Sequence, residues 1–488
     1  MDAREENINK SRFWNFIDSI EGDKIVWIIV LMLIMISVLA IFSSTPLLND
    51  GNKDRIDIIR DQIITAVLGL GVIWGMYKLD SLKVNTVKLF MNVSQFGFLF
   101  SFILLFILDA HLNLGIIKAQ KINDAWRTLS FKGFQIHVFE FTKVAMVMYL
   151  AWACHSYKKD QEQIASNSPT TTLKIANALA KTRRFKFMGK PFWKRVLYMY
   201  MPVVIVSLMV LMGSGSSGIF IGAILVLVLM IGGVPLREVG IGAIAGVMLL
   251  VGGVALYNVT DNDFLKKFGR IPTMLNRMTI EYDTEKLSTL KEGTDEFYQE
   301  RDKILQPYGA KIAVHEGGVF GKGSGNSTQK YIVTNIYGDY MFSFLIEEYG
   351  LVGGILVILL YVSLLARGSH IAKMCRKEFT KLAVGGLSLL ITGQAFMHMF
   401  VNVDIGPMTG QTLPLVSHGA FAFLMFCIAF GIILTISKMT RNQMRQAEAQ
   451  AVPLYEKAGE QETDDIQASM DILESIGNDD PAQMDEEL

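Results

Sequence analysis

The 488-residue sequence has little cysteine, no net charge and no obvious metal-binding spacing. Its three cysteines, Cys154, Cys375 and Cys427, are far apart, so they predict neither a disulfide framework nor a zinc site. Lys and Arg total 46 and so do Asp and Glu, so there is no overall basic patch of the kind that nucleic-acid-binding proteins carry. We therefore expect no nucleic-acid partner and no structural zinc.

Apolar residues are abundant instead. They make up 51% of the chain, including 30 Phe and 26 Met, and the mean hydropathy is +0.35. A helix needs roughly 20 mostly apolar residues to cross a bilayer. The sequence predicts an all-α polytopic membrane protein with ten transmembrane helices, at about 25–43, 62–79, 85–109, 139–156, 196–213, 217–234, 239–257, 341–366, 381–403 and 416–437.

The basic residues predict the orientation of these spans, because short cytoplasmic loops are enriched in Lys and Arg. They concentrate after the fourth span, after the eighth and at the end of the tenth, which places all three regions on the cytoplasmic side. Both termini are then cytoplasmic, and the long connection 258–338 faces outward. Representative residues are Lys158, Lys159, Lys174, Lys181, Arg183, Arg184, Lys186, Lys190, Arg367, Lys373, Arg376, Lys377, Lys438, Arg441 and Arg445.

Three regions follow from this arrangement. Residues 1–24 are expected to be a cytoplasmic segment, 25–440 a ten-helix membrane domain in the inner membrane, and 441–488 an acidic tail. The first apolar run lacks a small-residue cleavage site, so we expect it to be retained as a span. The tail's composition predicts disorder, with a short partner-binding helix near Ile466 to Ile476 as the alternative.

Several ionisable residues fall at membrane depth, where they usually meet a partner or an aqueous cavity. Glu140 and Lys143 are three residues apart and share a helix face, so they predict either a structural ion pair or the lining of a substrate cavity. Asp339 precedes the eighth span, and Glu347 and Glu348 lie inside it, either hydrogen-bonded at the interface or facing substrate.

Two segments have irregular composition. The outer loop ends in a glycine-rich run, 317–327, whose N–H groups could receive an anion beside Lys322, or which could be a flexible turn. The stretch 406–419 between the last two spans is rich in Gly and Pro, and irregular backbone at this depth is tolerated where it is buried or lines a cavity. His418 within it is expected to pack rather than to bind metal.

Three segments resemble the SEDS family (FtsW, RodA and SpoVE), in the same chain order. Residues 410–417, Gly-Gln-Thr-Leu-Pro-Leu-Val-Ser, are similar to the family's signature loop and lean toward the FtsW branch. Residues 310–354, with Asp339 ahead of a helix containing Glu-Glu, resemble its outer loop and eighth span. Glu140-Phe-Thr-Lys143 is similar to the Glu-x-x-Lys of its fourth span. The resemblance covers about residues 25–440.

The sequence also departs from the family pattern. His137-Val138-Phe139 stands where Gln-Pro-Ser is usual, and 214–218 lacks the usual carboxylate. Val333-Thr334 replaces a Leu-Pro, and His418-Gly419-Ala420-Phe421 replaces a glycine-rich ending.

The resemblance implies a peptidoglycan glycosyltransferase that joins lipid II into glycan strands during cell division and releases undecaprenyl pyrophosphate. Asp339 matches the family's proposed catalytic carboxylate, which would take the proton from the acceptor sugar. Cationic and N–H-rich surroundings would stabilise the departing pyrophosphate. The expected substrate-binding residues are Lys322, Ser327, Glu140, Lys143, Glu347, Gln411 and Ser417. Mg²⁺ or Mn²⁺ would screen the phosphates, although no ligand cluster is visible.

The resemblance further implies a class B penicillin-binding protein, a transpeptidase, as partner, together with divisome proteins. Two other functions remain open at this point. A transporter or flippase of lipid-linked precursors would also use intramembrane charges, and a non-catalytic division scaffold would tolerate the departures from the pattern.

Overall fold

The computed structural model describes residues 21–45, 55–81, 85–111, 117–122, 125–131, 134–169, 172–259, 290, 292–333, 336–406 and 409–477. The chain divides into a large unit, Asp23–Ser437, and a small one, Met1–Gly22 with Lys438–Leu488. In the described part of the small unit, Arg441 Nη1 donates to the carbonyl of Gly22 at 2.9 Å. The candidate site lies entirely in the large unit.

Long helices make up most of the described chain. In order they are α1 Lys24–Ser44, α2 Arg55–Lys78, α3 Thr86–Asp109, α4 Val138–Ala165, α5 Lys174–Lys181, α6 Pro191–Arg195, α7 Met201–Gly213, α8 Gly215–Ile231, α9 Leu236–Val259, α10 Asp295–Gly317, α11 Met341–Met374, α12 Glu378–Asn402 and α13 Ala420–Gly477. A wide π-helical turn, Val196–Tyr200, joins α6 to α7. Short 3₁₀ turns lie at Leu79–Ser81, Arg183–Gly189 and Gln329–Tyr331.

Each of the ten predicted apolar runs lies mainly in a helix. Within the described residues, six helical segments are long and apolar enough to cross a membrane: Lys24–Ser44, Thr86–Asp109, Pro191–Gly213, Met341–Met374, Glu378–Asn402 and Ala420–Gln450. On α1, Val30 and Leu33 are fully buried while Ile28 and Met35 are each 55% exposed. A helix that is apolar on all faces is typical of a membrane span, so the protein is a polytopic membrane protein.

The end of α1 shows how the spans are tied together. Asp23 caps α1 by accepting from the N–H groups of Ile25 at 2.9 Å and Val26 at 3.2 Å. The same carboxylate accepts from Nε of Arg367 on α11 at 2.8 Å, and its backbone N–H donates to Oγ of Ser437 on α13. One capping residue therefore links the first and the last helices of the large unit.

The all-α prediction is wrong for residues 117–137. They form a three-stranded antiparallel sheet, β1 Ile117–Ile122, β2 Ala125–Phe131 and β3 Phe134–His137, with the order β1-β2-β3. Successive residues Thr128 and Leu129 of β2 are both fully buried, so both faces of this short strand are covered at that point. His137 ends β3 and is also the residue before the first turn of α4.

The structure also differs from the expectation of a disordered tail. Residues 441–477 continue α13 as helix, and 478–488 lie outside the described residues. Helix nucleation is the costly step, and a span that is already helical removes that cost. The segment 441–452 is rich in Gln, Ala, Met and Arg, which favour helix, so elongation is favourable there.

Candidate active site

Asp339 lies two residues before α11, at the rim of a narrow crevice, with its side chain partly exposed. The crevice forms where the start of α11, the end of α12 and the irregular segment before α13 meet. Its lining consists of Asp339, Tyr340, His398, Val401, Thr409, Gly410 and Gln411. The carboxylate predicted to be catalytic and the signature loop are therefore brought together.

Two side chains fix the backbone on either side of this carboxylate. Nδ2 of Asn402 donates to the carbonyl oxygen of Asp339 at 3.0 Å. Oγ of Ser417 donates to the carbonyl oxygen of Gly338 at 2.7 Å. Asn402 is itself held by the backbone N–H of Ser343, which donates to Oδ1 at 3.0 Å. Because these groups are buried, the hydrogen bonds set the position of Asp339 with little freedom.

A polar stripe on α12 supports the signature loop. Gln394, His398 and Asn402 follow one another at intervals of four residues, so they share a helix face. Nδ1 of His398 lies 2.7 Å from the carbonyl oxygen of Gln411, and Nε2 of Gln394 donates to the carbonyl oxygen of Thr412 at 3.1 Å. The polar face of α12 thus supplies hydrogen-bond partners for the irregular backbone of the signature loop, as burial in a membrane protein requires.

Lys143 is the centre of a buried polar network. Its side chain is 1% exposed, and Nζ donates to Oε1 of Glu140 at 2.7 Å, to Oε1 of Gln394 at 2.8 Å and to Oε1 of Gln411 at 2.7 Å. Nε2 of Gln411 in turn donates to Oγ of Ser217 on α8 at 2.7 Å. Three acceptors saturate the ammonium group. Glu140 and Lys143 form an ion pair, and the main effect of Lys143 is to hold Gln411 in the crevice wall.

Arg127 belongs to the site and was missed in the sequence. It lies on β2, and its Nη1 is 3.7 Å from the point where a Cβ on Gly410 would lie, while Oδ2 of Asp339 is 3.9 Å from the same point. Gly410 has a positive φ of 59°, and its lack of a side chain leaves room beside both charged groups. The sheet therefore delivers a guanidinium to the crevice, and only the missed strand would have indicated it.

Several N–H groups of the glycine-rich run are engaged within the protein. α11 is interrupted at Gly350, where φ is 67°, and the run packs against this break. The N–H groups of Lys322 and Gly323 donate to the carbonyl oxygens of Glu347 and Glu348, each at 2.9 Å. A Cβ at Gly321 would come within 2.2 Å of the Glu348 carbonyl oxygen, so glycine is required there. These N–H groups complete the broken helix instead of facing an anion.

The side chains of this segment are engaged in the same way. Nζ of Lys322 donates to Oε1 of Glu347 and to Oγ1 of Thr328, each at 2.8 Å, and contacts Glu316 as well. Burial lowers the pKa of Lys322, but the hydrogen bonds that its ammonium group donates to Glu316 and Glu347 outweigh this effect, so the pKa is raised overall and the amine stays protonated. Ser327 donates to Oε2 of Glu347 at 2.5 Å.

Lys322, Ser327 and Glu347 are thus brought together, but among the described residues that line the Asp339 crevice none of the three appears. Glu347 is fully buried as the anchor of the glycine-rich run, and Glu348 accepts from Ser43 at 2.7 Å and from the N–H of Gly325 at 2.9 Å. The structure places these residues together at the break in α11, and it places Asp339, Gln411, Ser417, Glu140 and Lys143 in or directly behind the crevice wall.

The departures from the family pattern take part in this architecture. Besides the Ser217 contact, Oγ of Ser216 donates to the carbonyl oxygen of Thr409 at 3.0 Å. His418 donates its N–H to the carbonyl oxygen of Tyr337 at 2.9 Å, and its Nδ1 lies 3.1 Å from Oε1 of Gln62. The segment without a carboxylate and the unusual histidine both hold the loop beside Asp339. Within the described segments, no group of three or more His, Cys, Asp or Glu is arranged to hold a metal ion.

Comparison with known sequences gives the family. Residues 23–442 match the FtsW/RodA/SpoVE family of cell cycle proteins. The chain is 34% identical over 155 residues to a probable peptidoglycan glycosyltransferase FtsW of Hahella chejuensis, covering 31% of this chain and 39% of that protein. It is 37% identical over 133 residues to the peptidoglycan glycosyltransferase MrdB of Escherichia coli K12, covering 26% and 35%. These alignments span well under half the length of each relative.

A longer alignment and the solved structures agree with this match. A probable peptidoglycan glycosyltransferase FtsW of Geobacter sulfurreducens is 25% identical over 417 residues, which is 85% of this chain and 95% of that protein. A chain of a peptidoglycan synthase complex has a TM-score of 0.57 at 16% identity, covering 86% of this chain and 98% of its own. A variant of the rod shape determining protein RodA of Thermus thermophilus has a TM-score of 0.51 at 16% identity, covering 85% and 97%. The fold is RodA-like, and the chain belongs to the FtsW/RodA/SpoVE family, the SEDS proteins.

Proposed function

We propose that this protein is an inverting peptidoglycan glycosyltransferase that polymerises lipid II and releases undecaprenyl pyrophosphate. The observation that carries the proposal is the crevice beside which the carboxylate of Asp339, whose backbone Asn402 holds, and the guanidinium of Arg127 both lie within 4 Å of the position that a Cβ on Gly410 would take. A carboxylate and a cation beside one small opening suit a reaction that removes a proton from one substrate and develops negative charge on the other.

In this mechanism Asp339 accepts the proton of the acceptor sugar hydroxyl. The hydroxyl oxygen attacks the anomeric carbon of the donor, a new glycosidic bond forms, and the bond from that carbon to the pyrophosphate oxygen breaks. The electron pair leaves with the pyrophosphate, whose growing charge Arg127 stabilises. Lys143 does not bind the pyrophosphate directly, because its three N–H donors are occupied. It positions Gln411 and contributes positive potential.

We further propose ten spans with both termini in the cytoplasm and the connection 258–338 outside, so that 25–440 is the membrane domain. The site supports this arrangement. The site joins the start of α4, the α7–α8 connection, the start of α11 and the end of α12. Ten spans with a cytoplasmic N-terminus would put all four of these points at the outer face of the membrane. The exposed basic residues Lys159, Lys186 and Lys373 lie in or beside the connections at the opposite ends of the spans, as cytoplasmic residues would.

The proposed setting is cell division in the bacterial inner membrane, in complex with a class B penicillin-binding protein and other divisome proteins. The FtsW-like sequence at 411–415 supports division. The relatives named above include both FtsW and MrdB, so this assignment depends on the signature loop.

The test is polymerisation of purified lipid II by the full-length protein, alone and with its transpeptidase, comparing Asp339→Asn with the wild type. We expect loss of at least about 10³-fold in turnover, because a general base is removed without a change of shape. Asp404→Asn is a matched control on the same face, since its carboxylate pairs with Lys311 at 2.6 Å, and it should retain activity.

Normal strand synthesis by Asp339→Asn would overturn the mechanism. Wild-type protein that moves lipid II across vesicles but forms no polymer would instead identify a flippase. Full division function of Asp339→Asn in cells would identify a scaffold.

A further inference from the structure

One connection at the face opposite the crevice carries exposed positive charge and has no acidic residue of its own, and two acids that contact it, Asp160 and Glu238, are paired with Lys194 and Arg195. Between Glu162 and Glu238 the sequence has no Asp or Glu. We name the described residues 172–195 the basic elbow; they comprise α5, the 3₁₀ turn Arg183–Gly189 and α6. Its exposed basic residues are Lys174, Lys181, Arg183, Arg184, Lys186 and Lys190.

The basic elbow is a fixed structure, held by a buried anchor. Asp160 of α4 is fully buried and accepts from Nζ of Lys194 at 2.5 Å and from Nδ2 of Asn177 at 2.9 Å. The N–H of Ile175 donates to the hydroxyl of Tyr198 at 3.2 Å. The buried carboxylate of Asp160 is thus paired with the buried Lys194. The exposed cations of the basic elbow are therefore presented on a preorganised surface. Preorganisation lowers the entropy lost on binding.

Aromatic rings lie among these cations. Phe185 is 38% exposed, Phe187 36%, Phe192 46% and Trp193 38%. The rings of Phe187 and Trp193 meet edge to face at 4.9 Å, so they form a single projecting cluster. Aromatic side chains favour the membrane interface, and clusters of Lys and Arg beside a span attract anionic lipids.

The position of the basic elbow decides between a lipid and a soluble acidic partner. α6 continues directly into the membrane-crossing segment Pro191–Gly213, so Phe192 and Trp193 lie within the first turn of a span. Aromatic rings at that position lie in the headgroup layer of the leaflet that the cations face. A lipid therefore contacts both the rings and the cations, whereas an acidic protein would pair with the cations alone.

We propose that the basic elbow binds the headgroups of anionic phospholipids, through the exposed cations of Lys181 to Lys190 and the ring cluster at Phe185, Phe187, Phe192 and Trp193. The surface would make the stability of this face depend on the lipid composition of the membrane. This inference rests on membrane insertion alone and not on the proposed glycosyltransferase activity.

The test titrates phosphatidylglycerol into the purified full-length protein in a neutral detergent and counts bound lipid by native mass spectrometry. Phosphatidylcholine and glycerol 3-phosphate are the comparison ligands. For Arg183→Gln/Arg184→Gln/Lys186→Gln we expect the half-saturating lipid concentration to rise at least about fivefold, because three cations near the headgroups are lost. The matched control, Lys373→Gln/Arg376→Gln/Lys377→Gln, removes the same charge from exposed residues on another connection and should shift it by less than about twofold.

Equal shifts in the two triple variants, or equal binding of phosphatidylcholine, would overturn the proposal. An unchanged affinity in the elbow variant would also overturn it and would favour an acidic protein partner, and tight binding of glycerol 3-phosphate alone would identify a site for a free phosphate. If the glutamine variant does not remain monodisperse, the charge-preserving Arg183→Lys/Arg184→Lys and a salt series on the wild type decide. Affinity that does not fall between about 0.05 and 0.5 M NaCl would contradict a headgroup site, because salt screens exposed charges.

Discussion

The side-chain amide of Asn402 lies 3.0 Å from the carbonyl oxygen of Asp339, and this contact ties the end of α12 to the proposed catalytic residue. The same side chain accepts the N–H of Ser343 in the first turn of α11. Asn402 therefore connects the two helices whose ends form the crevice, and a residue that touches no substrate fixes the orientation of the carboxylate.

Substitution of Asn402 should affect turnover more than substrate binding. For Asn402→Ala we expect kcat to fall about 10-fold or more with little change in KM, and the free energy of unfolding to fall by about 1–3 kcal/mol, because buried partners lose their hydrogen bonds. Steady-state polymerisation and thermal unfolding in detergent measure both. Ser343→Ala removes only the hydroxyl contact and should have a smaller effect, and equal effects would argue against positioning through Asp339.

Removal of the buried cation at Lys143 should destabilise the membrane domain. Lys143→Met leaves Glu140, Gln394 and Gln411 without their donor, and breaking a buried pair in this way costs about 3–5 kcal/mol. The double variant Lys143→Met/Glu140→Gln should recover part of this stability without recovering polymerisation.

Lys158→Met is the control for that experiment. Lys158 pairs with Glu378 at 3.1 Å in a partly exposed position, and such pairs contribute only about 0–1 kcal/mol. A loss of stability as large as that of Lys143→Met would show that burial is not the cause.

Arg127 should be required for turnover because its guanidinium lies beside the same Gly410 position as the Asp339 carboxylate. Arg127→Ala is expected to reduce kcat about 10²-fold or more, the size of effect seen when one donor to a developing anion is removed. Lys118→Ala changes the same charge on an exposed residue of β1 and should have little effect. Lipid II polymerisation with preserved thermal stability is the measurement, and full activity of Arg127→Ala would remove this residue from the mechanism.

The glycine-rich run should tolerate no side chain at Gly321. Gly321→Ala places a Cβ 2.2 Å from the Glu348 carbonyl oxygen and forces alanine to a φ of 80°, so we expect a loss of about 2 kcal/mol or more in the free energy of unfolding. Limited proteolysis should then cleave near 317–327 more readily. Gly71→Ala on α2, where a Cβ meets nothing within 4 Å, should leave both readouts unchanged, and a similar loss there would point to a general effect of alanine.

Apolar length could be read from the sequence, and it placed each of the ten runs in a helix, as with Lys24–Ser44 and Thr86–Asp109. Motif resemblance identified the family and directed attention to Asp339, Lys143 and Gln411, which the structure brings together. The strands were missed because they have only six, seven and four residues, too few for a clear periodic pattern, and the helical tail was missed because its acidic composition outweighed the span that precedes it.

The roles of individual side chains depended on distant contacts. Lys322 looked free to bind an anion until the break in α11 placed Glu347 at 2.8 Å from its amine. Arg127 had no local signal, because its importance comes from a glycine nearly three hundred residues later. Hydrophobic burial in lipid depends on local composition, so the sequence alone determined that the chain is a helical polytopic membrane protein. Hydrogen bonds and ion pairs depend on distances of about 3 Å between remote residues, so only the tertiary structure decided which charged groups form the site and which hold its scaffold.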